Sequence, residues 1–305
     1  MTLTAWLALG VGLALAPAVP GVANRTKNLL TARRGAPASQ LYHDLAKLWR
    51  KGAVYGAGTT LAFRAGPVIA LATIVLAACL LPLDGRSSLL GFAGDFVAFA
   101  GLMALGRFAL VLAALDTGSS FEGMGASREA TFGGLTEPAL FLCFAALALA
   151  SGESSLGRML GTRLGVVWGA TGPGLVMVAA SLFLLALAEG GRVPVDDPAT
   201  HLELTMIHEV MVLDHSGPDF ALIQYAAALK LTLFATLLVD VLVPRAGLPP
   251  AASIVVWPLA LLAVAAAVGV VEAGMARMRM TRTPQFLVAA AVLPAFAIVL
   301  LLGPR

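Results

Sequence analysis

Runs of roughly 20 apolar residues recur along the whole chain, and this pattern constrains the fold more than any other feature. A backbone in lipid must satisfy its own hydrogen bonds, so each run is expected to be helical. The runs are too long, and alternate too little, for strands of a membrane barrel. Only 12 % of the residues are charged, against about 25 % in soluble domains. The sequence therefore predicts an all-α polytopic membrane protein with a single domain over residues 1–305.

Eight membrane spans are expected from the positions of the apolar runs. They lie at about residues 3–23, 65–83, 89–115, 135–151, 164–188, 220–243, 251–272 and 284–303. The first run lacks a basic segment before it, so we interpret it as a retained helix and not as a signal peptide.

The loops between these spans differ in basic charge. Thirteen Lys and Arg residues lie in the odd-numbered loops, at about 24–64, 116–134, 189–219 and 273–283, and five lie on the opposite side. Because basic loops stay in the cytoplasm, the sequence predicts a protein of the cell inner membrane with cytoplasmic polar loops and both termini outside.

The first of these loops contains an amphipathic segment. Tyr42, Leu45, Leu48 and Trp49 share one side of a helical wheel, with basic residues elsewhere on it. Two interpretations remain open: a helix in the membrane interface that meets anionic lipid, or a docking surface for a soluble partner.

The third of these loops is the polar centre of the chain. The stretch Glu189–Asp219 holds seven of the seventeen carboxylates and three of the four histidines. Arg192 lies close enough along the chain to Glu189 for an ion pair to be considered. A helix is expected to begin at Pro198 with Asp197 as its N-cap.

That helix would place polar residues on one face and apolar residues on another. The polar face would carry His201, Thr205, His208 and Glu209, and the apolar stripe Leu202, Met206, Val210 and Leu213. A metal site at His201, His208 and Glu209 is an alternative to a solvated polar face, although the spacing is not HExxH.

Several ionisable residues fall at or within the predicted spans. In the second cytoplasmic loop, Ser127 is expected to cap a helix that begins at Arg128-Glu129 and leads to Glu137 in the fourth span. The other ionisable residues in the spans are Asp95, Arg107, Lys230, Asp240 and Glu272. Charges in lipid are costly unless they pair or line a wet path. We expect Asp240 and Glu272 to snorkel towards the span ends, and Arg107 and Lys230 to belong to a buried polar chain.

No motif forms an active site by itself. The sequence contains no phosphate loop, dinucleotide fingerprint or nucleophile elbow. Cys79 and Cys143 lie inside apolar runs without a CxxC neighbour, so no iron–sulfur or zinc site is expected in this chain. The basic pI reflects loop charge, and nucleic-acid binding is not expected.

Three sets of residues carry a family resemblance. They are Gly191–Met206 (GRVPVDDPATHLELTM) with the following His208-Glu209 and Asp214–Gly217, then Leu115–Ser119 with Gly125–Ala130, and finally Arg33–Leu48. The chain resembles the membrane subunit of formate hydrogenlyase and hydrogenase-4, a family homologous to the H subunit (subunit 1) of respiratory complex I. Ala199 and His201 stand where the complex I pattern has acids, while Glu203 matches, which favours the hydrogenase branch over a quinone site.

The resemblance implies a subunit similar in fold to complex I subunit 1, which anchors a [NiFe]-hydrogenase arm and couples it to proton movement. It implies no catalytic residue and no cofactor in this chain. The [NiFe] centre and iron–sulfur clusters would lie in partner subunits, namely the hydrogenase large and small subunits and iron–sulfur subunits, beside antiporter-like membrane subunits in the bilayer.

Candidate residues for the proton path or coupling come from two sources. The resemblance points to Asp116, Glu129, Glu137, Arg192, Asp196, Glu203 and Asp214. The clustering of charge adds Arg107, Glu122, Arg128, Glu189, Glu209 and Lys230. Three alternatives remain: the quinone-chamber subunit of complex I, a purely structural anchor, and an independent ion transporter, against which the lack of an internal repeat argues.

Overall fold

The computed structural model describes residues 3–196 and 206–303, apart from the side chains of Thr162 and Pro250, and contains no strand in these ranges. The described ranges hold ten α-helices. They are α1 (Leu3–Leu15), α2 (Ala18–Leu30), α3 (Gln40–Leu48), α4 (Leu61–Leu80), α5 (Asp95–Asp116), α6 (Ser120–Ser151), α7 (Leu164–Glu189), α8 (Gly217–Leu242), α9 (Pro250–Gly274) and α10 (Thr283–Leu302). Shorter helical turns lie at Gly157–Arg163 (π), Glu209–Val212 (3₁₀) and Met280–Arg282 (3₁₀).

Helices α4 to α10 are each long and apolar enough to cross a bilayer, α10 together with the turn before it. Helices α1 and α2 pass the same test only as a pair, bent by 46°. The described helices therefore supply seven spans, or eight with the broken pair, which confirms the prediction of an all-α protein with about eight spans.

The first span is broken, which the sequence analysis did not predict. Pro17 has no N–H, so the carbonyl of Leu13 lacks its helical donor. The Tyr225 hydroxyl donates to the Leu13 carbonyl at 2.8 Å, and the Tyr42 hydroxyl donates to the Ala14 carbonyl at 2.5 Å. Two tyrosines from distant parts of the chain thus replace the hydrogen bonds that the break removes.

Helix α6 begins earlier than predicted. It starts at Ser120, with Ser119 at the N-cap, so the prediction of a loop to residue 134 with Ser127 as the cap is wrong. Its 32 residues span about 48 Å, more than the roughly 30 Å of a hydrocarbon core. The first turns therefore extend beyond the bilayer while still being helical, and they carry Glu122, Arg128 and Glu129.

Helix α5 begins later than predicted, at Asp95 and not near residue 89. The Asp95 carboxylate accepts hydrogen bonds from the Ser155 hydroxyl at 2.9 Å and from the Leu156 N–H at 2.6 Å. Asp95 therefore ties the start of α5 to the segment before α7 and lies apart from the polar centre of the chain.

Helix α8 is the most enclosed of the spans, and it packs against α4, α7 and α9. The core includes Phe234 of α8 and the aromatic side chains of Phe99, Phe144 and Trp257 from other helices, each at most 1 % exposed. Because lipid is as apolar as the core, such packing stabilises the bundle through close contact and interhelical hydrogen bonds. The enclosure of α8 carries Lys230 into the interior, beside the end of α7.

The prediction that Asp240 and Glu272 snorkel is wrong, because a cation reaches each of them inside the protein. Asp240 forms a fully buried ion pair with Arg245. Glu272 lies 3.5 Å from an Arg192 nitrogen and 3.7 Å from Lys27 Nζ, and its side chain is 2 % exposed.

Candidate functional site

Arg107 on α5 lies at the centre of a cluster of carboxylates, of which Glu129 and Glu189 are buried. Its Nη1 donates to Glu137 Oε1 at 2.8 Å, its Nε lies 3.2 Å from Glu129 Oε1, and its Nη2 forms a short ion pair with Glu189. Glu129 and Glu137 come from α6, and Glu189 is the last residue of α7. One guanidinium therefore joins three helices through its fork of donors.

A glycine makes room for this guanidinium. A Cβ added at Gly133 would lie 2.2 Å from Arg107 Nη1, closer than any real contact allows. Gly133 and Thr136 face Arg107 from α6, and the Thr136 hydroxyl donates to Glu189 Oε1 at 2.5 Å. Gly133 thus leaves space for Arg107, and the Thr136 hydroxyl fixes the position of Glu189.

Lys230 on α8 forms the inner end of the cluster. Its Nζ lies 3.2 Å from Glu189 Oε2, so Glu189 binds a different cation through each carboxylate oxygen. The Glu189 side chain is 6 % exposed. Removing one partner of such a buried pair costs about 3–5 kcal/mol, because the other charge stays in the interior.

His208 extends the cluster towards the central loop. Its Nε2 lies 3.3 Å from Glu129 Oε2 and its Nδ1 lies 3.4 Å from Asp196 Oδ2. Burial alone would lower the pKa of His208, but Glu129 and Asp196 outweigh it and raise that pKa above 6.5. The histidine is thus held between two carboxylates that favour its protonated form.

Asp196 is fixed by the chain around it. Its Oδ2 accepts the N–H groups of Ile207 at 3.1 Å and His208 at 3.2 Å, and its Oδ1 lies 3.3 Å from Arg277. Burial by itself raises the pKa of Asp196, but the bonds from His208 and Ile207 outweigh it and leave the pKa below 3.8. Asp196 is therefore the ionised outer end of the cluster.

These contacts form one continuous series, which we call the polar chain. Its members, in order from the interior, are Lys230, Glu189, Arg107, Glu129, His208 and Asp196, with Glu137 as a branch at Arg107.

The polar chain borders a cavity of about 220 Å³, large enough for several waters. Apolar side chains of Ile74, Met103, Leu110 and Ile223 form its other wall. Carboxylates, a histidine and a lysine in contact beside a cavity that can hold water are chemically suited to passing protons, because each neighbour's charge shifts the proton affinity of the next.

Most of the candidate residues meet at this site. Arg107, Glu129, Glu137, Glu189, Asp196 and Lys230 belong to the polar chain or its branch, and Arg192 and Glu209 line the cavity. The ion pair between Arg192 and Glu189 that their spacing suggested does not form. Arg192 Nη1 donates to Asn24 Oδ1 at 2.7 Å and lies near Glu272. Arg128 donates to the Met206 carbonyl at 2.7 Å and so holds the central loop on α6.

Other candidates lie elsewhere. The Asp116 carboxylate accepts the Thr60 N–H at 2.6 Å and the Thr60 hydroxyl at 2.8 Å, at the start of α4. Glu122 is buried and accepts the Asp214 N–H at 3.1 Å, while the Asp214 side chain is exposed. These three residues join loops and helix ends to one another and do not touch the polar chain. Glu203 lies outside the described residues.

The central loop differs from its predicted helix. Residues 197–205, with His201 of the metal hypothesis, lie outside the described ranges, and from Met206 the chain turns into the short 3₁₀ helix Glu209–Val212. The predicted α-helix is therefore wrong from Met206 onwards. Its polar face with His208 and Glu209 does not form, and neither does its apolar stripe with Met206, Val210 and Leu213. The cause is local, because Asp196 takes the N–H groups of Ile207 and His208. Within the described residues, no group of three or more His, Cys, Asp or Glu side chains is arranged so that it could hold a metal ion.

Sequence reasoning missed the connecting role of His208, Thr136 and Arg277. Thr136 carried a usable signal, since Glu129, Gly133 and Thr136 share a helix face at spacings of four and three. His208 and Arg277 carried none, because loops and not helix periodicity bring them to Asp196.

Fold and site together define a multi-pass membrane protein whose interior holds a connected series of ionisable side chains. Residues 4–303 match the family model described as NADH dehydrogenase, and the chain belongs to that family, as a relative of its subunit 1.

Its relatives place it in the hydrogenase branch of these complex I-like proteins. It is 32 % identical to hydrogenase-4 component C of Escherichia coli (strain K12) over 232 residues, which cover 76 % of this chain and 72 % of that one. It is 29 % identical to formate hydrogenlyase subunit 4 of the same organism over 278 residues, 89 % of each chain. The chain is thus a membrane subunit of the complex I-like hydrogenase and formate hydrogenlyase family.

A solved structure shares the fold. A chain of the membrane-bound sulfane sulfur reductase, an archaeal respiratory membrane complex, superposes with a TM-score of 0.83 at 20 % identity over 98 % of each chain. At that identity the likeness supports the architecture alone.

Proposed function

We propose that this chain is the membrane-anchor and proton-coupling subunit of a membrane-bound [NiFe]-hydrogenase or formate hydrogenlyase-type complex. It connects a cytoplasmic redox arm to the membrane arm, with its polar loops in the cytoplasm and both termini on the outer side. The catalytic metals, a [NiFe] centre and iron–sulfur clusters, belong to partner subunits.

The observation that carries this proposal is the unbroken contact from Asp196, in a loop, to Lys230, inside the bundle. A purely structural anchor needs salt bridges at the surface where it docks. It does not need four carboxylates, two permanent cations and a histidine joined in one series, because desolvation makes each charge in the interior costly.

A branch of the polar chain supports a membrane partner. Glu137 binds Arg107, yet 37 % of its side chain remains exposed on a membrane-spanning helix. A half-exposed carboxylate in a span is costly in lipid, so a polar side chain of a neighbouring membrane subunit is the suitable cover. Antiporter-like subunits would take this position.

The test compares Glu189→Gln with Glu153→Gln in the assembled complex. Glu153 is a matched control, because it pairs with Arg158 and Arg163 away from the polar chain. Glu189→Gln is expected to retain the soluble arm and its dye-linked hydrogenase activity while proton movement in liposomes falls at least tenfold. Glu153→Gln should leave all three unchanged. Wild-type proton movement in an assembled Glu189→Gln complex would refute the coupling role and leave the anchor.

The cavity favours one second candidate, a quinone-chamber subunit as in complex I. Its wall is largely apolar, with Arg107, His208 and Lys230 on one side, which suits an amphiphilic ring with polar substituents. A photoreactive quinone distinguishes the two functions. Competable labelling of residues at this cavity in the purified complex would support the quinone function, and no labelling would support the hydrogenase assignment.

A further inference from the structure

Helix α3 packs against α2 and α8 along one face, and from its other side the Tyr42 hydroxyl reaches α1. None of the α3 residues is fully buried, and Leu41, Asp44 and Leu48 form the side turned towards α2 and α8. Gln40, Leu41 and Asp44 line a cavity of about 270 Å³ there. Apart from the bond of the Tyr42 hydroxyl, the outward side of α3 is exposed within the described residues.

The outward side consists of two adjacent stripes. Tyr42, Ala46 and Trp49 recur at helical spacing, with Tyr42 39 % and Trp49 58 % exposed. His43, Lys47 and Arg50 form the next stripe one position along, and Lys51 follows; all are exposed. Exposed aromatic residues beside exposed basic ones are typical of a helix that lies in the membrane–water interface.

A hydrogen bond places α3 at the depth of the bilayer. The Tyr42 hydroxyl donates to the Ala14 carbonyl, at the inner end of α1. The 13 residues of α1 rise about 20 Å, which is less than the roughly 30 Å of a hydrocarbon core. Tyr42 therefore reaches into the inner part of the bilayer, where lipid is the neighbour of an uncovered face.

The charge of this region is strongly one-sided. Residues 24–64 carry eight Lys and Arg side chains and one carboxylate, Asp44, a net charge of +7, whereas the whole chain carries +3. Within the described part of the protein, no carboxylate pairs with Lys47, Arg50 or Lys51. Three such cations at membrane depth match the negative headgroups of anionic phospholipids.

We propose that α3 and the following Lys51 form a binding surface for anionic phospholipid headgroups of the inner leaflet. Lys47, Arg50 and Lys51 contact the headgroups, while Tyr42 and Trp49 lie at the boundary with the acyl chains. The inference does not depend on proton coupling, since none of these residues belongs to the polar chain.

The first test follows Trp49 in the intact complex. The complex is placed in nanodiscs of phosphatidylcholine with an equal fraction of brominated phosphatidylcholine or brominated phosphatidylglycerol. The Trp49 signal is the difference in fluorescence between the wild type and Trp49→Phe. Brominated phosphatidylglycerol is expected to quench it at least twofold more strongly. Equal quenching by the two lipids, or no quenching, would overturn the proposal. This test leaves the basic residues of α3 in place.

The second test changes the charges. In the test variant, Lys47, Arg50 and Lys51 are all replaced by Gln. In the control variant, Arg158 and Arg163 are replaced by Gln; their side chains are each 60 % exposed near Glu153. Because each cation near an anionic surface contributes about a factor of five, the triple variant should bind phosphatidylglycerol at least tenfold more weakly. The control should bind it normally. Unchanged binding would refute the proposal, and loss of the soluble subunits with normal lipid binding would show a protein-docking face instead.

Discussion

Gly133 leaves the space on α6 that the guanidinium of Arg107 occupies. Arg107 was identifiable from the sequence, because a cation inside an apolar run must find partners. Its partners were not identifiable, because Glu129, Glu137 and Glu189 come from two other helices. Gly133 passed unnoticed, since nothing in a single sequence distinguishes a glycine that admits a guanidinium from the neighbouring Gly134, which has open space beside it.

Replacing Gly133 by Ala should displace Arg107, whereas replacing Gly134 by Ala should not. In a helix, Ala is favoured over Gly by about 0.5–1 kcal/mol, so Gly134→Ala is expected to raise the unfolding midpoint of the purified chain in detergent slightly. Gly133→Ala is expected to lower the unfolding midpoint, because the added methyl overpacks a filled site and reduces the free energy of unfolding by about 1–3 kcal/mol. Equal shifts in the two variants would contradict the close approach of Arg107 to α6.

His208 should make stability depend on pH. Its pKa is raised above 6.5 in the folded protein, so its contribution is complete below pH 6.5 and is lost as the pH rises through the raised value. The pKa of Asp196 is lowered from 3.8, so its contribution persists down to that pH and is lost only below it. The pair is therefore strongest in mildly acidic solution.

We expect the difference in unfolding midpoint between wild type and His208→Gln to be largest between about pH 4 and 6.5 and to shrink above that window. Differential scanning of the detergent-solubilised chain measures it. His43→Gln, at an exposed position on α3, is the control. A His208→Gln difference that grows as the pH rises would contradict the arrangement.

At the scale of helices, apolar runs predicted the spans well because lipid forces the backbone to bond within each segment. They predicted the ends poorly. Helix α6 starts at Ser120 because Glu122, Glu129 and their neighbours are buried against the central loop, so the sequence looks polar where the helix is already formed. The break between α1 and α2 also depends on distant residues, Tyr42 and Tyr225, that the local sequence does not reveal.

The Tyr225 hydroxyl is expected to stabilise the broken span. Tyr225→Phe leaves the Leu13 carbonyl without its donor and should cost about 1–3 kcal/mol. Tyr55→Phe removes a hydroxyl from a side chain that is 38 % exposed, so it should cost less. Thermal unfolding of both variants in detergent measures the difference, and equal losses would show that the break needs no hydroxyl from α8.

Across the whole molecule, composition and spacing were enough for the fold class, and most candidate site residues were found because charge is rare in this chain. Their connection was not predictable. The polar chain draws on α5, α6, α7, α8 and the central loop, and only the packing of these parts shows that Lys230 reaches Glu189 or that His208 bridges Glu129 and Asp196. The same packing separates Asp116, Glu122 and Asp214 from the others, although their residue types are alike.

If the chain couples redox chemistry to proton movement, the polar chain changes its protonation when the complex turns over. Infrared difference spectroscopy of the intact complex, recorded with and without hydrogen, measures this in the carboxyl stretching region. We expect a carboxyl band that shifts in deuterated water, is lost when Glu189→Gln interrupts the polar chain, and persists in Glu153→Gln. A wild-type spectrum without such a band, or the same band in Glu189→Gln, would show that the polar chain does not change its protonation during turnover.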